Sequence, residues 1–333
     1  MSQQVPGDGV LGDFQHPNQD LRRSIIVALY FAFIVSTAAV GLRLLARKVN
    51  GSKLFLDDYL ILIALLFKYG CSIGVIILLF NGLGCHITMI PPKNLEIYLK
   101  IGYSNSFVYT ACVTFIKLSI LALYKRLFSV PRMILAANVV AAFVLLWAVS
   151  VCVVGVVLCL PVNKFWDRAV EGTCLDPAKY YYGQQIPNIV TDVVLLIMPM
   201  KPVWSLPISR TQRILLSGVF VVGGLTLIFD IVRLTAMIEL TQSGPDITYN
   251  QIPMVAWTCI EAAAGITAAC LSNLRPLFKL SKRRFWTKGQ SGPSKQPADQ
   301  TRDLSQASTK FDPYVTQNSI YTRHSISIQY SKP

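Results

Sequence analysis

Seven long apolar stretches constrain this chain more than any other feature of its sequence. A hydrocarbon core about 30 Å thick is crossed by roughly 20 residues of α-helix at about 1.5 Å per residue. Because unpaired backbone groups are costly in hydrocarbon, each stretch must be helical. The stretches of sufficient length are 24–44, 59–80, 101–124, 133–159, 184–204, 213–238 and 251–274. The sequence therefore predicts an all-α bundle of seven transmembrane helices.

The composition excludes a water-soluble globule. Of the 333 residues, 53% are hydrophobic and only 14% are charged, which leaves too little polar material to cover a globular surface. A net charge of +14 would suggest nucleic-acid binding in a soluble chain, but here the basic residues fall mostly between apolar stretches. We therefore expect the lipid bilayer as partner, and no nucleic acid.

Lysine and arginine are concentrated at alternate ends of the predicted helices. Basic residues near the ends of a span resist translocation and stay in the cytosol. The richer side carries Arg43, Arg47, Lys48, Lys53, Lys125, Arg126, Arg132, Lys201, Arg210, Arg213, Arg275, Lys279, Lys282, Arg283, Arg284 and Lys288. The poorer side carries Arg22, Arg23, Lys93, Lys100, Lys164, Arg168 and Lys179. This bias predicts an N-terminus outside the cytosol and a C-terminus inside it.

The same reasoning divides the chain into three parts. Residues 1–23 form an extracytosolic N-terminal segment, and 24–280 form the membrane domain. Residues 281–333 are first basic and then rich in Ser and Thr, a composition that cannot bury enough apolar surface to fold. We expect a disordered cytosolic tail there, in a protein of the plasma membrane or an endomembrane.

Three cysteines are predicted to face the outer compartment, where disulfides are permitted. Pairing Cys159 with Cys174 would hold the intervening loop against the fourth helix, and this is the favoured pair. Cys85 as one partner, or three free thiols, are the alternatives, because sequence alone does not determine connectivity. Cysteines inside the predicted spans need no function beyond packing.

A series of short motifs runs from Arg43 to Phe278. It comprises Asp57-Asp58-Tyr59, Gly82-Leu83-Gly84 with His86, Lys117-Leu118-Ser119-Ile120-Leu121, Tyr124, Arg126, Phe128, Cys159, Pro161, Trp166, Gly172, Cys174, Asn188, Asp192, Arg233, Glu261 and Leu274-Arg275-Pro276. In this order they resemble the fungal rhodopsin-domain family of membrane proteins, which includes the satratoxin-cluster membrane protein and Pth-type receptor-like proteins. Ser272, where the family pattern has proline, and Cys85, where it usually has a basic residue, depart from it.

The resemblance implies a seven-helix, receptor-like architecture. It suggests first a receptor-like sensor of a small molecule or surface cue, with an intracellular signalling partner. The alternative is an accessory or transport-type membrane protein of a secondary-metabolite (mycotoxin) gene cluster. A membrane-embedded enzyme ranks third, since only Asp192 and Asp230 offer a carboxylate pair; we therefore predict that the chain is not an enzyme.

Ionisable residues inside the predicted spans are the candidate site. Each costs about 2.5–3.5 kcal/mol at mid-bilayer on insertion scales, so each suggests a partner or a water-filled cavity. With Asn188, they would line a polar pocket open to the outside, where a ligand or proton would bias helix packing. The residues of this predicted pocket are Lys68, Asn188, Asp192, Asp230, Arg233 and Glu261.

A second interpretation of these charges is purely structural. Lys68 and Glu261 come out at similar depth, and Asp230 and Arg233 lie three apart on one helix face. Both would then be static pairs that fix the order of the helices. Lys117 is expected to extend its ammonium to the cytosolic face. Arg126 is either a site of cytosolic coupling or, more simply, a positive-inside anchor.

Two kinds of bound group are not expected. A retinal Schiff base needs a lysine in the seventh helix, and residues 251–274 contain none, so the family's name does not imply light sensing. His86 lies at the outer end of the second helix, and the other histidines are His16 and His324 near the chain ends. A metal site needs several converging ligands, so none is predicted.

Overall fold

The computed structural model describes residues 19–271, except 50, 129, 168, 201–209 and 243–245. The described part contains seven long helices. They are α1 (Gln19–Val49), α2 (Leu56–Phe80), α3 (Pro92–Leu127), α4 (Pro131–Val156), α5 (Pro177–Ile197), α6 (Arg210–Gln242) and α7 (Ile252–Leu271). Between them lie the 3₁₀ turns Ile87–Met89 and Val162–Phe165, a one-turn helix Ile247–Asn250, and strands β1 (Cys159–Leu160) and β2 (Thr173–Cys174).

Proline begins three of the helices. Pro92, Pro131 and Pro177 each occupy the first helical position, where a fixed φ suits the helix and no donor is lost. Asp176 additionally caps α5, since its carboxylate accepts a hydrogen bond from the Ala178 N–H at 3.0 Å. The prolines in the sequence therefore mark where these three helices begin.

The helices differ in length from the apolar stretches that predict them. α3 begins at Pro92 rather than 101, and α5 begins at Pro177 rather than 184. Hydropathy reports the apolar part of a helix, whereas hydrogen bonding continues past it. The prediction of helix over 133–159 is wrong at its end, because α4 stops at Val156 and Cys159 enters β1. Residues 281–333, the predicted tail, lie outside the described part.

Helix α3 lies at the centre of the bundle, in contact with α2, α4, α5 and α7, while α1 packs on α7 and α6 on both α5 and α7. Large apolar side chains such as Val27, Leu66, Leu146 and Val221 are exposed on the outer surface. Six helices of the described part are long and apolar enough to cross a membrane. This outward apolar surface is the one expected of an integral, multi-pass membrane protein.

Helix α5 does not meet that hydropathy criterion, and its burial pattern shows why. Gln184, Gln185 and Asn188 are buried, whereas Val190 and Ile197 are exposed. Its polar residues therefore face the other helices and its apolar residues face outward, the reverse of a helix in a water-soluble protein.

A disulfide-bonded hairpin connects α4 to α5. Strands β1 and β2 pair antiparallel with Cys159 opposite Cys174, and the two sulfurs are bonded at 2.01 Å. The favoured pairing is confirmed, and the alternatives are wrong: Cys85 is buried and is not part of a disulfide. Burial raises the pKa of the Cys85 thiol, and Arg22 partly opposes the rise. We call the end of the bundle that carries this hairpin the hairpin end.

Removing the disulfide is expected to destabilise the protein substantially. The bond closes a loop with a sequence separation of 15, and loss of that constraint costs about 3 kcal/mol. The double variant Cys159→Ser/Cys174→Ser should lose this much in free energy of unfolding, measured by denaturation in detergent. Cys152→Ala, at an unbonded and half-buried cysteine of α4, is the control. Equal stability of the two variants would contradict the prediction.

A second contact joins two loops at the hairpin end. The Asp246 carboxylate is hydrogen-bonded to the His86 ring and accepts from the Ile87 N–H at 2.9 Å. The His86 ring also stacks on Tyr249, with centroids 4.4 Å apart. Although partial burial opposes the effect, these hydrogen bonds lower the pKa of Asp246. The carboxylate is therefore ionised at neutral pH, and the loop after α2 is held to the loop before α7.

Candidate functional site

The pair Arg233–Glu261 joins α6 to α7 in the interior of the bundle. Arg233 Nη1 lies 3.0 Å from Glu261 Oε2, and the two side chains are only 2% and 6% exposed. Arg233 Nη1 also donates to Gln185 Oε1 at 2.8 Å and to the hydroxyl of Tyr109. The Tyr109 hydroxyl in turn donates to Glu261 Oε1. Four helices thus meet at one buried arginine.

A second pair, Lys117–Asp192, joins α3 to α5. Lys117 Nζ lies 3.0 Å from Asp192 Oδ2 and donates to the Asn188 carbonyl at 2.8 Å and to Thr191 Oγ1 at 2.5 Å. All three N–H donors of the ammonium therefore have partners on α5, inside the bundle. The expectation that Lys117 reaches the cytosolic face is wrong.

Asn188 connects the two pairs. Its Nδ2 donates to Glu261 Oε1 at 3.2 Å and to Asp230 Oδ1 at 3.3 Å. Asp230 is buried on α6, and Gln185 Nε2 donates to its backbone carbonyl at 3.3 Å. The structure thus brings five of the six predicted pocket residues together: Asn188, Asp192, Asp230, Arg233 and Glu261. We call these five, with Lys117 and Tyr109, the charge cluster.

The predicted pairing of these charges is wrong in two respects. Lys68 is buried on α2 but donates to Ser72 Oγ on its own helix at 2.9 Å, not to Glu261. Asp230 and Arg233 do not form a salt bridge within the described residues, because Arg233 turns toward Glu261 on α7. Depth and i,i+3 spacing were the sequence signals, and neither determines how a helix is rotated against its neighbours.

Between the charge cluster and the hairpin lies a cavity of about 250 Å³, which we call the outer cavity. Aliphatic, polar and seven aromatic side chains line it, together with Arg233. The aromatic lining residues are Tyr98, Tyr103, Phe107, Tyr109, Phe165, Tyr180 and Tyr181. Arg233 Nε has no hydrogen-bond partner among the described residues. An apolar cavity with a few convergent polar groups is typical of small-molecule sites.

Sequence reasoning missed several residues of this region. Tyr109 and Gln185 bind Arg233 directly, and the tyrosines of the outer cavity were not singled out. Uncharged side chains inside an apolar span carry no signal comparable to that of a buried charge. The excess of tyrosine near the starts of α3 and α5 was the available clue.

The opposite end of the bundle, which we call the arginine end, carries a separate ionic network centred on Asp57. Arg43 Nη2 and Arg126 Nη1 lie 2.7 Å and 2.8 Å from the two Asp57 carboxylate oxygens. Arg47 Nη2 lies 3.2 Å from Asp57 Oδ2, and Arg43 Nε lies 2.8 Å from Asp58. Arg126 thus ties α3 to α2, a contact that neither of its predicted roles anticipates.

Comparison with known proteins agrees with this architecture. The family model described as fungal rhodopsin domain matches residues 42–280. The polyenoic acids biosynthesis gene cluster protein Ba17b of Metarhizium anisopliae is 29% identical, over 78% of this chain and 74% of its own length. A SAT4 family membrane protein of Emericella nidulans is 27% identical over 60% of this chain, which spans about half (51%) of that protein. Receptor GIN3 of Arthrobotrys oligospora is 23% identical, over 81% of this chain and 65% of its own length.

Proposed function

Because this chain belongs to the fungal rhodopsin domain family, we propose that it is a multi-pass membrane receptor that binds a small molecule in the outer cavity. The observation that carries the proposal is the cavity itself, with aromatic walls above a buried arginine. The likeness to a protein named as a receptor supports it.

The lining suggests the chemistry of the ligand. A volume of about 250 Å³ is slightly below the range of drug-sized pockets, which begins at roughly 300 Å³. Aromatic walls favour a flat, apolar body, and the unpartnered Arg233 Nε favours a hydrogen-bond acceptor on it. Since Glu261 already balances the arginine charge, a neutral acceptor such as a carbonyl suffices.

The contacts below the cavity offer a route for a signal. A ligand that accepts from Arg233 Nε would shift the guanidinium, whose Nη1 bonds to Glu261 and Gln185 hold α6 to α7 and α5. Asn188 and Lys117 extend the same contacts to α3. A two-state change in this buried network would alter how α5 and α6 pack, which is how a ligand biases a conformational equilibrium.

We also propose that the bundle crosses the bilayer seven times, with the hairpin end outside the cytosol. The disulfide favours an oxidising compartment at that end, and the arginine end suits the cytosol. Helix α5 would be added to the six apolar helices to give seven spans, and its polar face is covered by neighbouring helices. Tags at the two termini should then be accessible from opposite faces of the membrane; accessibility from one face would overturn the seven-span topology.

A pair of glycine substitutions tests the ligand site. Gly102 lines the outer cavity, and a Cβ there would meet no atom within 4 Å. A Cβ at Gly183 on α5 would also meet no atom within 4 Å, but this glycine is exposed and does not line the cavity. Gly102→Leu should place a side chain in the cavity, whereas Gly183→Leu makes the same chemical change outside it.

The measurement is ligand-dependent thermal stabilisation of the purified protein with a panel of flat aromatic ketones and esters. For any compound that stabilises the wild type, we expect affinity to fall at least about tenfold, or about 1.4 kcal/mol, in Gly102→Leu. Gly183→Leu should bind as the wild type does. Equal binding by both variants would remove the outer cavity as the site.

An accessory or transport-type role in secondary metabolism is the second candidate, favoured by relatives named after biosynthetic gene clusters, Ba17b among them. Reconstituted vesicles distinguish the two, since a transporter moves its compound across the membrane and a receptor only binds it. A catalytic role is not proposed, because Asp192 and Glu261 each face a basic side chain. Formation of a reaction product by the wild type, and its loss in Asp192→Ala, would indicate a catalytic role.

A further inference from the structure

The charge cluster contains more acid than base, and Asp230 is the residue left over. Lys117 pairs with Asp192, and Arg233 pairs with Glu261, each at 3.0 Å. Asp230 forms no salt bridge with any residue that the structure describes, although it is only 1% exposed. An ionised carboxylate without a counter-charge at such a depth would be strongly disfavoured.

The two oxygens of Asp230 have different surroundings. Oδ1 accepts from Asn188 Nδ2 at 3.3 Å, whereas Oδ2 is buried without a hydrogen-bond donor in the described part of the chain. Asp192, Asp230 and Glu261 also line a second, smaller cavity of about 80 Å³. Asp230 therefore shares this cavity with two other carboxylates, which are acceptors only when ionised, and with Lys117, which already pairs with Asp192.

Protonation of Asp230 accounts for both its missing salt bridge and its Oδ2 atom without a donor among the described residues. Protonation removes the uncompensated charge and converts Oδ2 from an acceptor without a donor into a donor for a neighbouring carboxylate. Paired carboxylates that share one proton behave in this way. We propose that Asp230 is a proton-binding site, occupied at neutral pH, that shares its cavity with the carboxylates of α5 and α7.

The charged and titratable groups around Asp230 come from every helix that packs against it. They are Asp192 on α5, Glu261 on α7, Lys117 and Tyr109 on α3, and Arg233 on its own helix. Lys68 on α2 is a further buried cation, but its ammonium donates to Ser72. None of these groups gives Asp230 a direct cationic partner.

Loss of the proton would change the contacts of the whole cluster. A charged Asp230 would compete with Asp192 for Lys117 and with Glu261 for Arg233, which lies one helical turn away on the same face. Since Arg233 also lines the outer cavity, proton release would be felt there. The inference stands on the charge cluster alone and does not require the outer cavity to bind a ligand.

Infrared spectroscopy of the purified, lipid-reconstituted protein tests the proposal. A protonated carboxyl has a C=O stretching band apart from those of carboxylates and amides, and it shifts in D₂O. We expect such a band at neutral pH in the wild type and in Lys68→Met, and its loss in Asp230→Asn. Asp230→Glu, which retains an acid, should move the band rather than remove it, and it serves if Asp230→Asn does not fold.

Three results would overturn the assignment. The band could be absent from the wild type, it could persist unchanged in Asp230→Asn, or it could disappear in Lys68→Met. Stabilisation of the wild type by sodium chloride relative to choline chloride, without a protonated band and lost in Asp230→Asn, would assign the site to a monovalent cation instead. Ligand binding is not read out, so a failed receptor proposal leaves this test intact.

Discussion

Replacing Arg233 by methionine should lower the free energy of unfolding by about 3–5 kcal/mol, the cost of breaking a buried ion pair from one side. The variant keeps much of the side-chain volume but leaves Glu261, only 6% exposed, without its cation. It also removes the donor bound to Gln185 and Tyr109. Denaturation of the purified protein in detergent, followed by circular dichroism, measures the loss.

Two further variants show whether the uncompensated charge is the cause. Arg233→Met/Glu261→Gln removes both charges and should recover a large part of the loss, since no buried carboxylate is left unpaired. Lys100→Met breaks the exposed pair with Glu96, both of whose side chains are 48% exposed, and should cost less than about 1 kcal/mol. A double variant no more stable than Arg233→Met would contradict the charge argument.

Asp57→Asn is expected to have an effect of similar size at the arginine end. Its carboxylate receives Arg43, Arg47 and Arg126, and Arg43 is almost completely buried. Asparagine has nearly the same shape but no charge, so three arginines would share the single carboxylate of Asp58. A loss of about 3–5 kcal/mol in free energy of unfolding follows from breaking buried pairs.

The control for Asp57→Asn is Glu171→Gln in the hairpin loop. Glu171 is exposed, so removing its charge should change the free energy of unfolding by no more than about 0.5 kcal/mol. Adding Arg126→Gln to Asp57→Asn should cost less than Arg126→Gln does in the wild type, because the ion pair with Asp57 would already be lost. If Asp57→Asn were as stable as the control, the network would contribute little to the stability of the protein, which would contradict the prediction.

The two networks suggest how the ends of the bundle are coupled. Helix α3 contributes Tyr109 and Lys117 to the charge cluster and Arg126 to the Asp57 network. Tyr124 lies between them and donates to the Leu195 carbonyl of α5 at 3.1 Å. A shift of α3 or α5 would therefore change contacts in both networks.

The one-dimensional pattern of the chain was enough to predict the helices and to favour one disulfide pairing. Apolar stretches of membrane-crossing length reflect a solvent property, the thickness of hydrocarbon, and need no knowledge of neighbours. The span predicted at 184–204 differs from the others, because α5 buries polar residues and exposes apolar ones. Cys159 and Cys174 could be paired because only a short loop separates them.

The partners of the buried charges were decided by tertiary structure alone. The sequence places Lys68, Asp230, Arg233 and Glu261 inside spans and so marks them as a site, but it leaves the rotation and tilt of each helix open. Those are set by packing among all seven helices, which turned Arg233 toward Glu261 and left Lys68 on Ser72. Five of the seven members of the charge cluster were thus marked by their place inside apolar spans. Its bonding, and the lack of an ion-pair partner for Asp230 among the described residues, depend on how the helix faces meet.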